Sequence, residues 1–507
     1  MNPPNILLIM TDQQRADTIA ALGNPVIRTP TLDRLVREGT AFTRCYTPSP
    51  VCVSARCSML TGLPPHVTGC TDNMPMPQNV PSFIEGLAHL GYRTHGVGKM
   101  HFTPDKLRKW GFDSRDVSEE VCPVNGEDDD FRNFLNQVGY DHVDEPHGVR
   151  SEMYYIPQPS QLPARYHNTA WVADRSIDFI KQHDGQRPFF LFSSFIKPHP
   201  PFETPTPWNK IYRAAEMLPP FRPEGFQNLL TYWNRVQNRY KYRDHGYDEL
   251  LARTMRAAYY ACLSFIDYHA GRILDSLGDD LDNTLVLYMS DHGEMLGDYG
   301  SYGKRTMLNA AAQVPLLARW PEGFTAGTRC DEPSSLLDIW PTLLSAAGSS
   351  DPAVSNEGID LRSLAAGESE RTAVFSQFSH GRRAIYMAAN REFKYIYSAP
   401  DRREWLFDLR IDPTETHNFA ENPYYASQLK DLRKVMIGRF QRDGYDDALQ
   451  GDEWRRYEPL SMPQDEDAGL LIQDPEGLEE RFDKLGEYAP NMRVSGYEAM
   501  RLLFQQD

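Results

Sequence analysis

Short apolar runs alternate with longer segments of helical periodicity along most of this chain. A short run that is apolar throughout is typical of a strand buried on both faces, and such strands separated by helices form a mostly parallel sheet. We therefore expect an α/β fold in which a large mixed, mostly parallel sheet is sandwiched by helices. The predicted strands are 6–10, 93–97, 189–195, 284–289 and 314–320, and the predicted helices are 31–38, 81–90, 171–182 and 249–277.

A change of pattern near residue 370 divides the chain. The polar stretch 367–371 ends the alternation, so the first domain is expected to span 1–370. Beyond it, three strands precede a helix, which predicts a smaller C-terminal α+β domain with an antiparallel sheet over 371–450. The charged extension 451–507 is expected to wrap the body or to contact a second copy of the chain in a homo-oligomer. The C-terminal elements are predicted at 384–389, 393–398, 404–409 and 425–442.

The composition narrows the class of protein further. The 507 residues include 40% hydrophobic and 24% charged side chains, which excludes a disordered or fibrous chain. A net charge of −17 makes nucleic acid and anionic membranes unexpected partners. The first apolar run is short, follows no basic segment and is broken by Asp12, so we expect no signal peptide, no membrane span and a cytoplasmic location. The seven cysteines lack the regular spacing of a disulfide framework.

Polar side chains follow four of the predicted strands at the point where each strand ends. In open α/β sheets, ligands bind beyond the carboxyl ends of the strands, so residues that are far apart in the chain can meet there. The sequence therefore predicts a functional site at this edge of the sheet. The residues are Asp12 and Gln13 after the first strand, Lys99 and His101 after the second, His199 after the third, and Asp291 and His292 after the fourth.

Four of these residues form a candidate metal site. Two carboxylates, an amide oxygen and an imidazole can surround one divalent cation. The oxygen ligands favour calcium, whereas the imidazole ligand is also compatible with manganese or zinc. Taken singly, Asp12 could instead cap a helix and His292 could be a loop histidine bonded to water. The four residues are Asp12, Gln13, Asp291 and His292.

A second group of residues is basic. An arginine, two lysines and two histidines would together hold a tetrahedral oxyanion and stabilise the charge that develops as its ester breaks. In a chain with a net charge of −17, such a group points to a sulfate or phosphate ester. The residues are Arg56, Lys99, His101, His199 and Lys304.

Cys52 is a candidate nucleophile. A thiolate beside Arg56 and a metal ion would have a lowered pKa and could attack an ester. From these residues alone, a structural role for Cys52 is equally compatible with the sequence.

The chain as a whole resembles the type I sulfatases of the alkaline phosphatase superfamily. Residues 5–13 resemble the first strand of that family, and residues 52–62, CVSARCSMLTG, resemble its signature segment. Each short motif is weak alone, but the ordered set extends to about Pro423 and is specific. The resemblance implies the alkaline phosphatase/sulfatase-like fold and hydrolysis of a small sulfate monoester, such as a sulfated sugar or an aryl or alkyl sulfate. Further matching segments are 98–101, 198–201, 290–294, 303–305, 314–316, 406–409 and 412–415.

The resemblance also implies roles for the candidate residues. A formylglycine-generating maturation enzyme would oxidise Cys52 to formylglycine, whose hydrate carries two hydroxyls on one carbon. One hydroxyl attacks sulfur, and the other then loses its proton and expels sulfate. Serine and cysteine have no second hydroxyl on the same carbon and cannot release sulfate in this way. Arg56 would stabilise the hydrate, and the divalent metal would lie among Asp12, Gln13, Asp291 and His292. Lys99, His101, His199 and Lys304 would bind the sulfate oxygens, and a histidine or a lysine among them would protonate the leaving oxygen.

Some residues depart from the family pattern and keep other functions open. Ser54 stands where the commonest maturation signature has proline, while Gln13 and His292 replace the aspartate and asparagine of many members. A phosphonate monoester or phosphodiester hydrolase on the same scaffold is one alternative, and a noncatalytic binder of sulfated ligands is another. The segments 117–163 and 207–247 are expected to cover the site or to form a subunit contact.

Overall fold

The first predicted strand lies near the centre of the main sheet. The structure is a computed structural model that describes residues 3–122, 128–150, 154–241, 248–349, 357–369, 371–464 and 472. The strands in these ranges are β1 (Asn5–Asp12), β2 (Thr40–Phe42), β3 (Cys45–Tyr46), β4 (Arg93–Gly98), β5 (Ser114–Val117), β6 (Gln158–Pro159), β7 (Phe189–Pro198), β8 (Glu203–Thr204), β9 (Thr284–Ser290), β10 (Gln313–Val314), β11 (Leu316–Arg319), β12 (Thr328–Cys330), β13 (Ser334–Ser335), β14 (Val374–Phe378), β15 (Ile385–Ala389), β16 (Phe393–Ser398), β17 (Arg403–Asp408), β18 (Leu449–Gln450) and β19 (Glu453–Trp454).

The α-helices in the same ranges are α1 (Pro30–Glu38), α2 (Cys52–Thr61), α3 (Pro65–Thr68), α4 (Phe83–His89), α5 (Asp130–Gln137), α6 (Asn168–Lys181), α7 (Tyr232–Lys241), α8 (Glu249–Ser276), α9 (Asn309–Ala312), α10 (Ile339–Ala346), α11 (Leu361–Ala365) and α12 (Ala426–Arg442). Among the described residues, no helix combines the length and the apolar composition needed to cross a bilayer. The seven cysteines are all free thiols.

The main sheet is mixed and mostly parallel, as predicted. Its described strands lie in the order β12-β2-β11-β9-β1-β7-β4-β5. The central strands β9, β1, β7 and β4 are mutually parallel, whereas β11 runs antiparallel to both β9 and β2. The carboxyl ends of the four central strands therefore meet at one edge of the sheet.

Strand β1 is apolar because both of its faces are buried. Side chains alternate between the faces of a strand. Leu7 and Ile9 pack with residues of α1, α6 and α8, whereas Ile6, Leu8 and Met10 pack with residues of α2, α4 and α10. Burying each large aliphatic side chain contributes about 1.5–3 kcal/mol, so the two helical layers fix the sheet between them.

The predicted strand 314–320 is wrong as a single element. Pro315 interrupts it because proline has no backbone N–H to donate to a neighbouring strand. Strand β10 ends before this residue and pairs with β3 in a small separate sheet, whereas β11 begins after it and joins the main sheet.

A four-stranded antiparallel sheet, β14-β15-β16-β17, lies near the C-terminus, with α12 packed on one face. Ile385, Met387 and Trp405 on the other face pack against the main body. Strands β15 to β17 and α12 confirm the predicted elements, while β14 was not predicted. The domain limits at residues 370 and 450 stay predictions, and most of the extension 451–507 lies outside the described residues.

A buried ion pair ties this small sheet to the main body. Lys394 of β16 lies 2.6 Å from Glu415, and both side chains are almost fully buried. The ammonium of Lys394 also donates to the side chain of Asn309, whose backbone N–H donates to Glu415. The pair therefore joins β16 to the start of α9.

Replacing Lys394 with methionine should lower the free energy of unfolding by about 3 kcal/mol, because Glu415 would be left buried without its counter-charge. Urea unfolding of the purified variant measures the loss. A double variant, Lys394→Met with Glu415→Leu, should recover most of it. A single variant as stable as the parent would contradict this account of the interface.

His147 is a buried histidine whose ring nitrogens make no hydrogen bond to the described residues. The ring stacks on Phe131, with centroids 5.4 Å apart. Burial and, to a smaller extent, the nearby charge of Lys197 together lower the pKa of His147 from 6.5 to about 3. Below about pH 6.5 the unfolded chain therefore binds a proton that the folded protein does not bind.

Lowering the pH from about 7.5 to about 5 should therefore reduce the free energy of unfolding by about 2 kcal/mol through His147. His147→Phe keeps a ring that can stack on Phe131 and removes the titration. Urea unfolding at both pH values should show a loss about 2 kcal/mol smaller in the variant than in the parent. Equal losses in the two proteins would show that His147 is protonated in the fold.

Candidate active site

The four central strands deliver the predicted residues to one place. Asp12 ends β1, and Asp291 directly follows β9, its neighbour in the sheet. Lys99 follows β4, and His199 follows β7, on the other side of β1. Cys52 is the first residue of α2, which packs on the same face of the sheet as α4 and α10.

Cys52 is surrounded by basic groups. Its Sγ accepts a hydrogen bond from Nζ of Lys304 at 2.8 Å and lies 3.2 Å from Nε2 of His292. Burial raises the pKa of the thiol, but the charges of Lys304 and Lys99 outweigh burial, so the pKa of Cys52 lies well below its usual value. The start of α2 adds the positive end of a helix dipole. The structure therefore places Cys52 where an anionic, nucleophilic group is stabilised.

Two buried carboxylates lie next to the thiol, each paired with a basic side chain. Arg56, one turn along α2, donates through Nε to Asp291 at 2.8 Å. Lys99 donates to Asp12 at 2.5 Å. Arg56 also donates to Oγ of Ser194 and to the backbone carbonyl of Lys99, so one side chain links α2, β7 and the end of β4. Arg56 thus fixes the geometry around Asp291 and Cys52.

The predicted metal ligands form a compact cluster. One ligand atom from each of Asp12, Cys52, Asp291 and His292 lies within 4.8 Å of the others. Nδ1 of His292 lies 3.0 Å from the backbone carbonyl of Gly293, which can only accept a hydrogen bond. In the neutral ring this leaves the lone pair on Nε2, the atom that faces both carboxylates, as a metal ligand requires.

Gln13 is held in place by an unusual backbone conformation and by its neighbours. Its φ of 73° lies in the left-handed region, which a residue with a side chain adopts at a cost of about 1 kcal/mol or more. Its backbone N–H donates to Asp291, and its Oε1 accepts from Lys304 at 2.9 Å. The amide oxygen therefore lies beside the cluster, so the set of two carboxylates, an imidazole and an amide oxygen fits one divalent cation.

The predicted oxyanion ligands surround the thiol from several sides. Lys304 contacts Cys52 directly, and Nδ1 of His199 lies 2.7 Å from the backbone carbonyl of Pro200, which leaves Nε2 to face the site. The backbone N–H of His101 donates to Glu119, and the His101 ring helps to lower the pKa of Cys52. Nδ1 of His101 is buried and has no hydrogen-bond partner among the described residues.

Two acidic residues at the site were not predicted. Glu294 accepts hydrogen bonds from Tyr155 and from the backbone N–H of Gly303, and it contacts the side-chain amide of Gln13. The sequence could have pointed to Glu294, because Glu294 is the last residue of the matching segment 290–294. Glu120 contacts Lys99 and lies 3.5 Å from His199. It belongs to the segment 117–163 that is expected to cover the site, but no sequence feature singles it out.

The described parts of the segments 117–163 and 207–247 contribute side chains that lie next to the site. The ring of Tyr154 lies 6.3 Å from that of His199, and Nζ of Lys241 lies 5.1 Å from the centre of the Tyr154 ring. Burial and, to a smaller extent, the charge of Lys304 together lower the pKa of Lys241 to about 7. Buried basic and aromatic groups of these segments therefore surround His199.

Comparison with known proteins places this chain in a family. The sulfatase family model matches residues 4–349, and the model for the C-terminal part of N-sulphoglucosamine sulphohydrolase matches residues 297–442. An arylsulfatase of Clostridium perfringens is 30% identical over 88% of this chain and 96% of its own length. A choline-sulfatase of Rhizobium meliloti is 30% identical over 90% of each chain.

Solved structures share the fold. The phosphonate monoester hydrolase of Agrobacterium radiobacter superimposes with a TM-score of 0.75 at 24% identity, over 87% of this chain and 96% of that chain. Because the family model covers more than half of the residues and the relatives align over nearly their full length, the chain belongs to the sulfatase family of enzymes, within the alkaline phosphatase superfamily.

Proposed function

We propose that this protein hydrolyses a small sulfate monoester, such as an aryl or alkyl sulfate or a sulfated sugar, with Cys52 matured to formylglycine. The observation that carries the proposal is the position of Cys52, whose Sγ lies within 3.2 Å of both Lys304 and His292 beside two buried carboxylates. The arylsulfatase and choline-sulfatase relatives support this class of substrate.

A divalent cation, with calcium expected, would be held by Asp12, Gln13, Asp291 and His292, whose donor atoms fit it. When bound, it would polarise the nucleophile and one sulfate oxygen. Formylglycine at position 52 would supply one hydroxyl that attacks sulfur and a second whose deprotonation expels sulfate. Arg56 would position Asp291 and the hydrated side chain of residue 52 relative to each other.

The basic residues would act on the substrate. Lys99, His101, His199 and Lys304 would hold the sulfate oxygens and stabilise the charge that develops on them. As the bond from sulfur to the alcohol oxygen breaks, that oxygen needs a proton, and Nε2 of His199 or Nζ of Lys304 can donate it. Both atoms face the site, because Nδ1 of His199 is occupied by Pro200 and Lys304 already contacts Cys52.

The alternative is hydrolysis of a phosphonate monoester or a phosphodiester, which the fold of the phosphonate monoester hydrolase favours. A noncatalytic role in binding sulfated ligands is a third hypothesis. The cytoplasmic location, the homo-oligomer and the maturation enzyme as a partner stay predictions.

Turnover by protein coexpressed with a formylglycine-generating enzyme tests the proposal. The panel contains 4-nitrophenyl sulfate, choline sulfate, sulfated mono- and disaccharides, and matched 4-nitrophenyl phosphonate and phosphodiester substrates. We expect the highest kcat/KM for a sulfate ester, because the preferred ester gains most in transition-state binding. A higher value for the phosphonate or the diester would favour the alternative. Binding of sulfated sugars without sulfate release would favour the noncatalytic role.

A further inference from the structure

An acidic side chain lies inside the group of basic residues assigned to the sulfate. Oε2 of Glu120 contacts Nζ of Lys99 and lies 3.5 Å from Nε2 of His199. Ligand atoms of Glu120, His199 and Cys52 all lie within 4.8 Å of one another. The carboxylate is therefore close to the position that the transferred group must occupy to meet the nucleophile.

Glu120 lies in a loop, but neighbouring side chains hold its carboxylate in place. Its side chain is only 17% exposed, and its other oxygen, Oε1, lies 3.4 Å from Nη2 of Arg150. Three basic groups thus surround it. A carboxylate in such surroundings stays ionised, so it contributes a fixed negative charge to the wall of the oxyanion site.

We propose that Glu120 makes this site selective for esters that carry a single negative charge. This inference rests on the proposed function, because it assumes that Lys99 and His199 bind the transferred group. A sulfate monoester carries one negative charge, whereas a phosphate monoester of the same shape carries two above neutral pH. In a buried site, charges about 5 Å apart interact strongly, so Glu120 repels the second charge of the phosphate ester.

A purely positioning role for Glu120 predicts a different result. If the residue only orients Lys99 and His199, its loss should slow both classes of ester by a similar factor. If its charge selects the substrate, its loss should change the ratio between them. The selectivity ratio therefore separates the two roles.

The ratio is kcat/KM for 4-nitrophenyl sulfate divided by kcat/KM for 4-nitrophenyl phosphate, which share a leaving group. Glu120→Gln should lower this ratio by about ten-fold or more, whereas Glu120→Asp, which retains the charge, should leave it within about three-fold of the parent. Glu119→Gln is the matched control, since Glu119 binds backbone N–H groups of Met100 and His101 instead of the basic side chains. It should leave the ratio within about three-fold, whatever it does to the rate.

A binding measurement tests the same charge effect without turnover. The ligands are benzenesulfonate, with one negative charge, and phenylphosphonate, with two at about pH 8.5. Calorimetric titration of Cys52→Ala protein, with and without Glu120→Gln, should show affinity for phenylphosphonate rising about ten-fold more than affinity for benzenesulfonate.

Equal changes for the two ligands, in protein whose thermal unfolding matches the parent, would overturn the inference. If the parent releases no sulfate from any ester but the titrations still discriminate by charge, the proposed function fails and the charge selection by Glu120 stands.

Discussion

Replacing Cys52 with alanine should lower sulfate release by about a thousand-fold or more while the protein stays folded. The side chain lies at the start of α2 among polar groups, so its loss removes the nucleophile and little apolar packing. Initial rates on 4-nitrophenyl sulfate measure the effect, and circular dichroism with thermal unfolding checks the fold.

The chain offers a matched control for this variant. Cys57 lies in the same helix, is equally buried, and belongs to the apolar cluster on the face of the sheet that α2, α4 and α10 cover. Cys57→Ala should keep the rate within about three-fold of the parent and lower the free energy of unfolding by about 1–2 kcal/mol. Full activity of Cys52→Ala would contradict the assignment of the nucleophile.

Replacing Asp291 with asparagine should lower both the metal content and the rate, the latter by about a hundred-fold or more. The variant keeps the size of the side chain but removes a ligand charge and the counter-charge of Arg56. Elemental analysis of the purified protein, together with rates after addition of calcium, manganese or zinc, measures both effects.

Asp338 provides the control for that variant. Like Asp291 it is fully buried and pairs with an arginine, here Arg371 at 2.8 Å, but it ends the short 3-10 helix Leu336–Asp338 that leads into α10. Asp338→Asn should reduce stability and leave the metal content per folded protein unchanged. Asp291→Asn with the metal content of the parent would argue against its role as a ligand.

The sequence predicted most of the sheet and the convergence at its edge, for a physical reason. Strands β1, β7 and β9 are buried on both faces, so β1 and β9 contain uninterrupted apolar runs and β7 is mostly apolar apart from Ser193 and Ser194. The polar residues that follow these runs mark the carboxyl ends. Pro315 limited the prediction, because its apolar neighbours form a continuous run although they belong to two sheets.

The position of Glu120 could not be predicted from the sequence. It lies in a loop without periodicity or apolar pattern, and only the folded structure brings its carboxylate to Lys99 and His199.

The local role of Ser54 also could not be predicted from the sequence. Its replacement of proline in the maturation signature has a local structural counterpart, since its hydroxyl donates to the backbone carbonyl of Cys70 at 2.5 Å, which a proline could not do.

The chemical identity of residue 52 in active protein decides whether the nucleophile is formylglycine or a thiol. Trypsin releases the peptide 45–56, which contains Cys45 and Cys52, so one peptide carries both the candidate and an internal control. Tandem mass spectrometry of alkylated protein with sulfatase activity should show an alkylated Cys45 and, at position 52, oxygen in place of sulfur with the loss of two hydrogens. An alkylated thiol at both positions, in protein that still releases sulfate, would show that hydrolysis does not depend on formylglycine at position 52.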